Sequence, residues 1–505
     1  MVNTMAEQEK KGSGKAQIHN IRAAKGVADT VKSTLGPMGM DKMMVDGGGN
    51  VIVTNDGATI LRELDVSHPG GKMIAEVAKT QESLCYDGTT STVVLSGQLL
   101  GNSEMLFEKG LHPNVICRGY HEAAQMAVNY LKDEIAIKGG TDEDLTSIAR
   151  TAITGKTLES AIEYVSALCV DAVKKAGDAE SVKVVSFPGG SLEDSTLFDG
   201  VIVNKDFVLE GDNSYSKMVL INAGLDSEKS EENIQLQVNV ESYQTYKKAG
   251  KADLIASCKP IVEAMPNGGV VFARDNVNDV VCTFLKKHNI MVVRRVPESS
   301  LRALSRATNL PIIQTPDDFE WCADVTIERE RKNDVWYLFV SSEEESQEAT
   351  LVLRGATSHT LEEVERGFDD ALGVVSLVIK NKSIVVGGGN AYARMAMHLR
   401  NHAAQIGGRA QMAIEAFADA LEVIPATVAE NAGHDPLDTI LAMRHEILQG
   451  NPNVGPNVKD GGVLDLLEQG VVEPLSLVRQ AVLSAAEVTN AILRIDDIVA
   501  RRPAQ

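Results

Sequence analysis

Three glycine-containing turns carry the residue types that phosphate chemistry requires: Thr34-Leu35-Gly36-Pro37-Met38-Gly39, Asp87-Gly88-Thr89-Thr90-Ser91 and Gly387-Gly388-Gly389. In the second, a carboxylate, a glycine and three successive hydroxyls stand at the start of a helical run. Bare backbone amides and the positive end of a helix attract an anion, hydroxyls add donors, and the carboxylate holds a magnesium ion beside the phosphate. Asp and Thr are also ordinary helix starters, so an N-cap without a ligand is the alternative. No Walker-type loop, in which a lysine closes a glycine-rich turn, occurs in the chain.

Two further carboxylates and one lysine suit the same chemistry. Asp56 sits in Asn55-Asp56-Gly57, a default turn directly after the apolar run 51–54. Asp370 lies on a helix whose apolar positions are Leu361, Val364, Phe368, Leu372 and Val375. Two residues from Phe368 is about 200° round a helix, so Asp370 faces away from the buried stripe. That predicts a solvated side chain, or one turned into a cleft where it positions water against a phosphate. Lys156, in Thr154-Gly155-Lys156, is either a surface lysine or a reach toward a terminal phosphate.

Charge narrows the partners. The chain has 505 residues, 49 basic and 70 acidic, for a net charge of -21. Such a field repels nucleic-acid backbones and anionic lipid. Aromatic residues are 4%, which removes most stacking platforms for bases. Neither nucleic acid nor membrane is expected as a partner. The six cysteines include no CxxC pair, so neither zinc site nor disulfide framework is suggested, and a reducing cytoplasm is the expected compartment. The opening MVNTMAEQEKKGSGK has no apolar core for a signal peptide.

The elements that position these residues are readable from periodicity. Residues 1–15 predict a flexible tail. Ile18, Ile21, Ala24, Ala28, Val31 and Leu35 form one helical face that must stop near Gly36-Pro37. A hairpin is expected from 42–45 to 51–54, then a helix carrying Met73, Ile74, Val77, Ala78 and Leu84, and another from Thr92. From about 183 the texture changes to short Val/Ile-rich runs at 201–204, 218–222, 270–273, 290–296, 310–314, 335–340 and 349–353. Helical stretches 277–288 and 298–308 alternate with three of them, a parallel α/β signature. Acidic stretches 226–232 and 343–348 read as solvated loops. From 358 the chain is helical again, closing with a long helix through Val478, Ala485 and Ile492. Helical ends around an α/β middle suggest one domain split by an insertion, within a length fit for about three domains.

The ordered strings TLGPMGMDKMMVD, VTNDGATIL, YDGTTSTVVL, TAITGK, TLVLRGAT, FDDAL, VVGGG, NAGHDPLDT, GVVEP and AILRIDDIVA closely resemble the group II chaperonins, the archaeal thermosomes and their eukaryotic cytosolic relatives. The likeness runs from about residue 16 to 500. It implies a multidomain chaperonin fold: a mostly helical equatorial ATP-binding domain (1–133 with 393–505), a small α/β intermediate domain (134–205 with 357–392) and an α/β apical client-binding domain inserted in the middle (206–356).

The resemblance also implies roles. Leu35, Gly36 and Pro37 are similar to the nucleotide loop, Asp87 to the magnesium ligand, and Gly88, Thr89, Thr90 and Ser91 to the phosphate cradle. Gly388 would lie against base or ribose, with Asn457 and Glu473 lining the remainder. Asp370 corresponds to the carboxylate that activates water, Asp56 to its helper, and Lys156 to a lysine that senses the terminal phosphate. The function implied is an ATP-dependent chaperone that encloses unfolded proteins in an eight-membered double ring, of one chain type or with paralogous subunits. The alternative is a nucleotide-binding scaffold with little turnover.

Three departures bear on that choice. Tyr86 replaces a glycine of the family pattern, Met38 a basic residue, and Asn390-Ala391-Tyr392 a stretch that usually carries a glutamate in ring-to-ring contacts. The segment 240–266 takes the place of a helical lid, where Pro260 predicts a kink. Leu301 and Leu304, with Arg302 and Arg306 between and beside them, either catch clients or simply cover a sheet.

Overall fold

The computed structural model of the chain describes residues 13–45, 48–49, 51–226, 252, 254–314, 323–342 and 348–496. The tail up to residue 12, most of the hairpin turn, the acidic stretches 227–232 and 343–347, and residues 240–251 of the expected lid lie outside them, as does Cys322. The chain forms two compact units, residues 1–170 with 366–505, and residues 171–365.

In the split unit, the helix Thr89–Glu108 lies at the centre. Its sequence carries apolar or small residues on nearly every face, and Val93, Leu95, Leu99 and Leu100 are fully covered or nearly so. Helices Ser13–Lys32, Pro69–Cys85, Gly408–Leu421 and Leu475–Leu493 pack against it. The expected stripe of the first helix is its buried face: Ile21, Ala24, Ala28 and Val31 are all in the core. Leu84, by contrast, is half exposed. The expected hairpin is present, with Lys42 paired to Thr54 and Val45 to Val51. Ser383–Val386 joins Val472–Pro474 on one side and Ile137–Lys138 on the other, all antiparallel.

The middle unit is built on a six-stranded sheet in the order Val201–Val203, Val335–Ser341, Ala323–Lys332, Ser214–Ile221, Gly269–Ala273, Ile290–Val293. The last three strands are mutually parallel and the rest antiparallel. Alternation along Ser214–Ile221 sends Met218 and Leu220 to one face and Val219 and Ile221 to the other. A second sheet pairs Ala349–Gly355 with Val182–Pro188 in parallel and with Thr196–Phe198 antiparallel.

Two readings change here, and two are decided. The run 310–314 is not a strand; only Ile313 bridges to Ile221. Ala323–Lys332 is a strand that periodicity missed, because its outward residues are Glu, Arg and Lys rather than a recognisable apolar pattern. Leu301 and Leu304 are buried against the sheet, while Arg302 and Arg306 of the same helix stay substantially exposed. Their leucines are sheet cover. At Pro260 the helix restarts: Cys258 breaks the path, and Lys259–Ala264 begins anew with the proline in its first turn, where a missing N–H costs nothing.

Candidate functional site

The loop 86–88 joins two helices. Tyr86 closes Pro69–Cys85 with a left-handed backbone (φ 62°, ψ -25°) and its amide donates to the Glu82 carbonyl at 2.8 Å. Gly88, also left-handed (φ 78°), precedes Thr89–Glu108, whose first turn receives no side-chain cap. The opening amides and the Thr89, Thr90 and Ser91 hydroxyls are thus what this helix end offers an anion. Gln81, fully buried, fixes the loop from behind by donating to the carbonyls of Asp87 (3.2 Å) and Leu477 (3.4 Å).

Asp56 caps the short helix Gly57–Glu63, accepting from the amides of Ala58 and Thr59 at 3.3 and 2.8 Å. The Thr89 hydroxyl also points at it, at 3.4 Å. Its neighbour Asn55 donates to the Gly155 carbonyl at 2.7 Å. Gly155 approaches the backbone of Gly36 and Pro37 so closely that a Cβ there would lie 3.0–3.2 Å from it. The next residue, Lys156, places Nζ 2.5 Å from the Asp370 carboxylate and 4.0 Å from Asp87. Four stretches far apart in sequence therefore meet around one lysine.

A third group lies behind them. Val385 pairs with Glu473 across the sheet, which sets Glu473 beside the turn Gly387-Gly388-Gly389. Asn390 reaches from that turn to the carbonyls of Pro452 and Val454 at 2.8 and 2.7 Å, tying it to the hairpin Val454–Pro456 and Val463–Asp465. Asn457 sits in the hairpin's turn, and its side chain accepts from the amides of Lys459 and Asp460. Its oxygen is thus engaged in shaping the turn itself.

The electrostatics are those of three carboxylates about one ammonium. Burial works against charge on Lys156, but Asp370, Asp87 and Asp56 outweigh it and keep the lysine protonated. Burial pushes Asp370 up to about 8, with Asp87 and Asp56 adding to the rise and Lys156 opposing it. Burial and then Asp87 push Glu473 up to about 7. Only 21% of the Asp370 side chain is exposed. The helix Ser358–Asn381 is covered on more than its apolar stripe, so the face opposite Phe368 meets protein rather than open solvent.

Residues 27–503 match the model of the TCP-1/cpn60 chaperonin family. The chain is 41% identical to the thermosome subunit alpha of Halobacterium salinarum, over 98% of this chain and 90% of that protein. It is 41% identical to a thermosome subunit of Methanopyrus kandleri, over 96% and 92%, and 39% identical to one of Pyrococcus abyssi, over 96% and 91%. The chain belongs to the TCP-1/cpn60 chaperonin family. Within it, the thermosome likeness places this chaperonin in group II, the ATP-dependent chaperones read from its motifs.

In this chaperonin the structure gathers Gly36, Pro37, Asp56, Asp87, Gly88, Thr89, Thr90, Lys156 and Asp370 into one cluster, with Gly388 and Glu473 adjoining. The Tyr86 departure leaves the turn intact, because tyrosine here adopts the backbone that a glycine would. Met38 is 47% exposed. Residues whose part in the site was missed in the sequence are Gln81 and Tyr392. Tyr392 is buried, which with the nearby Glu473 and Asp87 carboxyls holds its hydroxyl well above the usual range, and that hydroxyl makes no hydrogen bond among the described residues. Neither Gln81 nor Tyr392 stands in a polar motif, so only the three-dimensional contacts could reveal them.

Magnesium fits this donor set. Asp87 keeps 34% of its side chain exposed, and the excess of carboxylates over ammonium favours a divalent cation. Among the described residues no three acidic, histidine or cysteine side chains converge to hold a metal alone. Magnesium is ordinarily held by one or two carboxylates together with substrate phosphates and water.

Proposed function

We propose that this chain hydrolyses ATP to ADP and phosphate with magnesium, and that turnover closes a chamber around unfolded protein clients. The observation that carries the reading is Lys156 between Asp370 and Asp87 at an uncapped helix start. The Thr89, Thr90 and Ser91 groups bind phosphate oxygens, and Gly36 and Pro37 border them. Lys156 exchanges a carboxylate for the terminal phosphate, which releases Asp370. Burial raises the basicity of the Asp370 carboxyl, so its ionised form takes the proton of the attacking water. Asp56, held by two amides, orients that water from the opposite side. Asp87 would hold magnesium, which would supply charge neutralisation on the phosphates. Leu35, Gly388, Asn457 and Glu473 border the rest of the nucleotide.

The remaining proposals follow the family. The domains are equatorial (1–133 and 393–505), intermediate (134–205 and 357–392) and apical (206–356). Subunits join head to tail into eight-membered double rings, a closed heterologous assembly, in the cytoplasm. Among the described residues no helix is long and apolar enough to cross a membrane.

Phosphate release from magnesium ATP tests the reading. The parent turns over, and Asp370→Ala loses on the order of a hundredfold in kcat while still binding ATP. A parent chain that binds ATP without releasing phosphate overturns hydrolysis and leaves a scaffold.

A further inference from the structure

The helix that carries Asp370 contains two glycines, Gly367 and Gly373, three residues before and three residues after it. Residues three apart lie on neighbouring positions of one helical face, so both glycines flank Asp370 on the side that meets the site. Each is filled from outside. A Cβ on Gly367 would lie 2.6 Å from Cδ1 of Leu158, two residues beyond Lys156. A Cβ on Gly373 would lie 2.0 Å from Cγ, 2.4 Å from Cβ and 2.5 Å from Cδ1 of Tyr86, the residue before Asp87. The Leu158 contact involves the tip of a flexible side chain. The Tyr86 contact involves the base of the ring, which cannot move without a change of rotamer or backbone.

Tyr86 also holds a left-handed backbone that glycine would take freely, and glycine in a helix interior is disfavoured in its turn. Two locally unfavourable choices meet at one contact, one turn from Asp370. Strain kept beside a reactive group needs a reason in the surrounding structure.

We propose that Tyr86 is a positioning residue for hydrolysis: its ring, seated in the gap left by Gly373, sets the height of Asp370 above Asp87 and Lys156. This rests on the hydrolysis reading above. The ring links the start of the phosphate loop directly to the helix that bears the proton acceptor. Misplacing a reacting group by an ångström is enough to cost a hundredfold in rate.

The test uses the full chain in steady-state phosphate release with magnesium ATP, beside thermal melting. Tyr86→Gly relieves the left-handed strain but empties the gap at Gly373, so its melting temperature falls only modestly, while kcat falls about tenfold and KM changes little. Gly373→Ala pushes the ring away and costs about a hundredfold in kcat. Adding Tyr86→Gly to Gly373→Ala returns turnover at least to the level of Tyr86→Gly alone, where independent effects would multiply. An unchanged kcat in Tyr86→Gly, multiplying losses in the double variant, or losses that track melting temperature would overturn the proposal. Should Gly373→Ala fail to fold, Tyr86→Gly decides by itself. A parent without turnover overturns the hydrolysis reading and this role together, whereas a parent that turns over beside an unaffected Tyr86→Gly overturns only the role.

Discussion

Glu473 shows what a single carboxyl contributes to the site and what it costs. Burial, then the nearby Asp87 charge, raises it to about 7, against an ordinary value of 4.5. A folded-state value above the unfolded one means that the folded chain holds the proton more tightly. The stabilisation is complete below about pH 4.5 and is lost as pH rises through 7. Glu473→Gln is therefore expected to raise the melting temperature of nucleotide-free protein by a few degrees at pH 8, on the order of 2 kcal/mol, and to change little at pH 4.5. Melting curves at the two pH values check the sign; a gain of equal size at both would remove titration as the cause. The candidate residues themselves were legible one turn at a time, since Asp87 to Ser91 and Asn55 to Gly57 are local patterns. The ion pair of Lys156 with Asp370 spans 214 positions, and no local pattern encodes which cation meets which carboxylate.

Among elements, the helices about the glycine turn 387–389 are held by one buried charge. The Glu422 side chain, only 8% exposed, lies between Arg400 and Arg444, accepting from Arg400 Nη1 and Arg444 Nε at 2.7 Å each. This joins the helix Asn390–Ile406, the end of Gly408–Leu421 and the helix Pro436–Leu448. Burial alone would raise the Glu422 carboxyl, but its hydrogen bonds to Arg444 and Arg400 prevail and hold it below the usual range. Its stabilisation is thus present above the ordinary carboxylate value and is lost as pH falls through the depressed one. Glu422→Ala is expected to cost about 2 kcal/mol or more near pH 7, because it leaves two arginines without their shared partner. Asp419→Ala removes only an exposed partner of Arg400 and costs well under 1 kcal/mol. Comparative melting of the two variants checks the ranking, and acid should narrow the gap. Periodicity located both long terminal helices because each buries one clear stripe. It missed Ala323–Lys332, where charged side chains occupy a strand that gains its place from backbone pairing on both sides.

Scale the -21 charge up to a whole ring and assembly becomes an electrostatic question as well as an apolar one. Met43 and Val45, with Val51 and Val53 opposite, leave the hairpin 42–54 unusually apolar for an exposed two-stranded ribbon. Apolar contacts of that kind do not weaken with dilution of salt, whereas repulsion between acidic subunits does respond to it. The screening length is roughly 8 Å at 0.15 M salt and about 30 Å at 0.01 M, so distant acidic groups on adjoining subunits begin to feel each other only in dilute buffer. Rings are therefore expected to predominate at 0.15 M salt and to shed subunits at 0.01 M. Sedimentation at the two ionic strengths, with negative-stain images of each sample, would read this directly. Assembly that strengthens as salt is withdrawn would mean that complementary charges at the subunit contacts outweigh the net repulsion, and the acidic balance of the chain would then say nothing about how its ring is held.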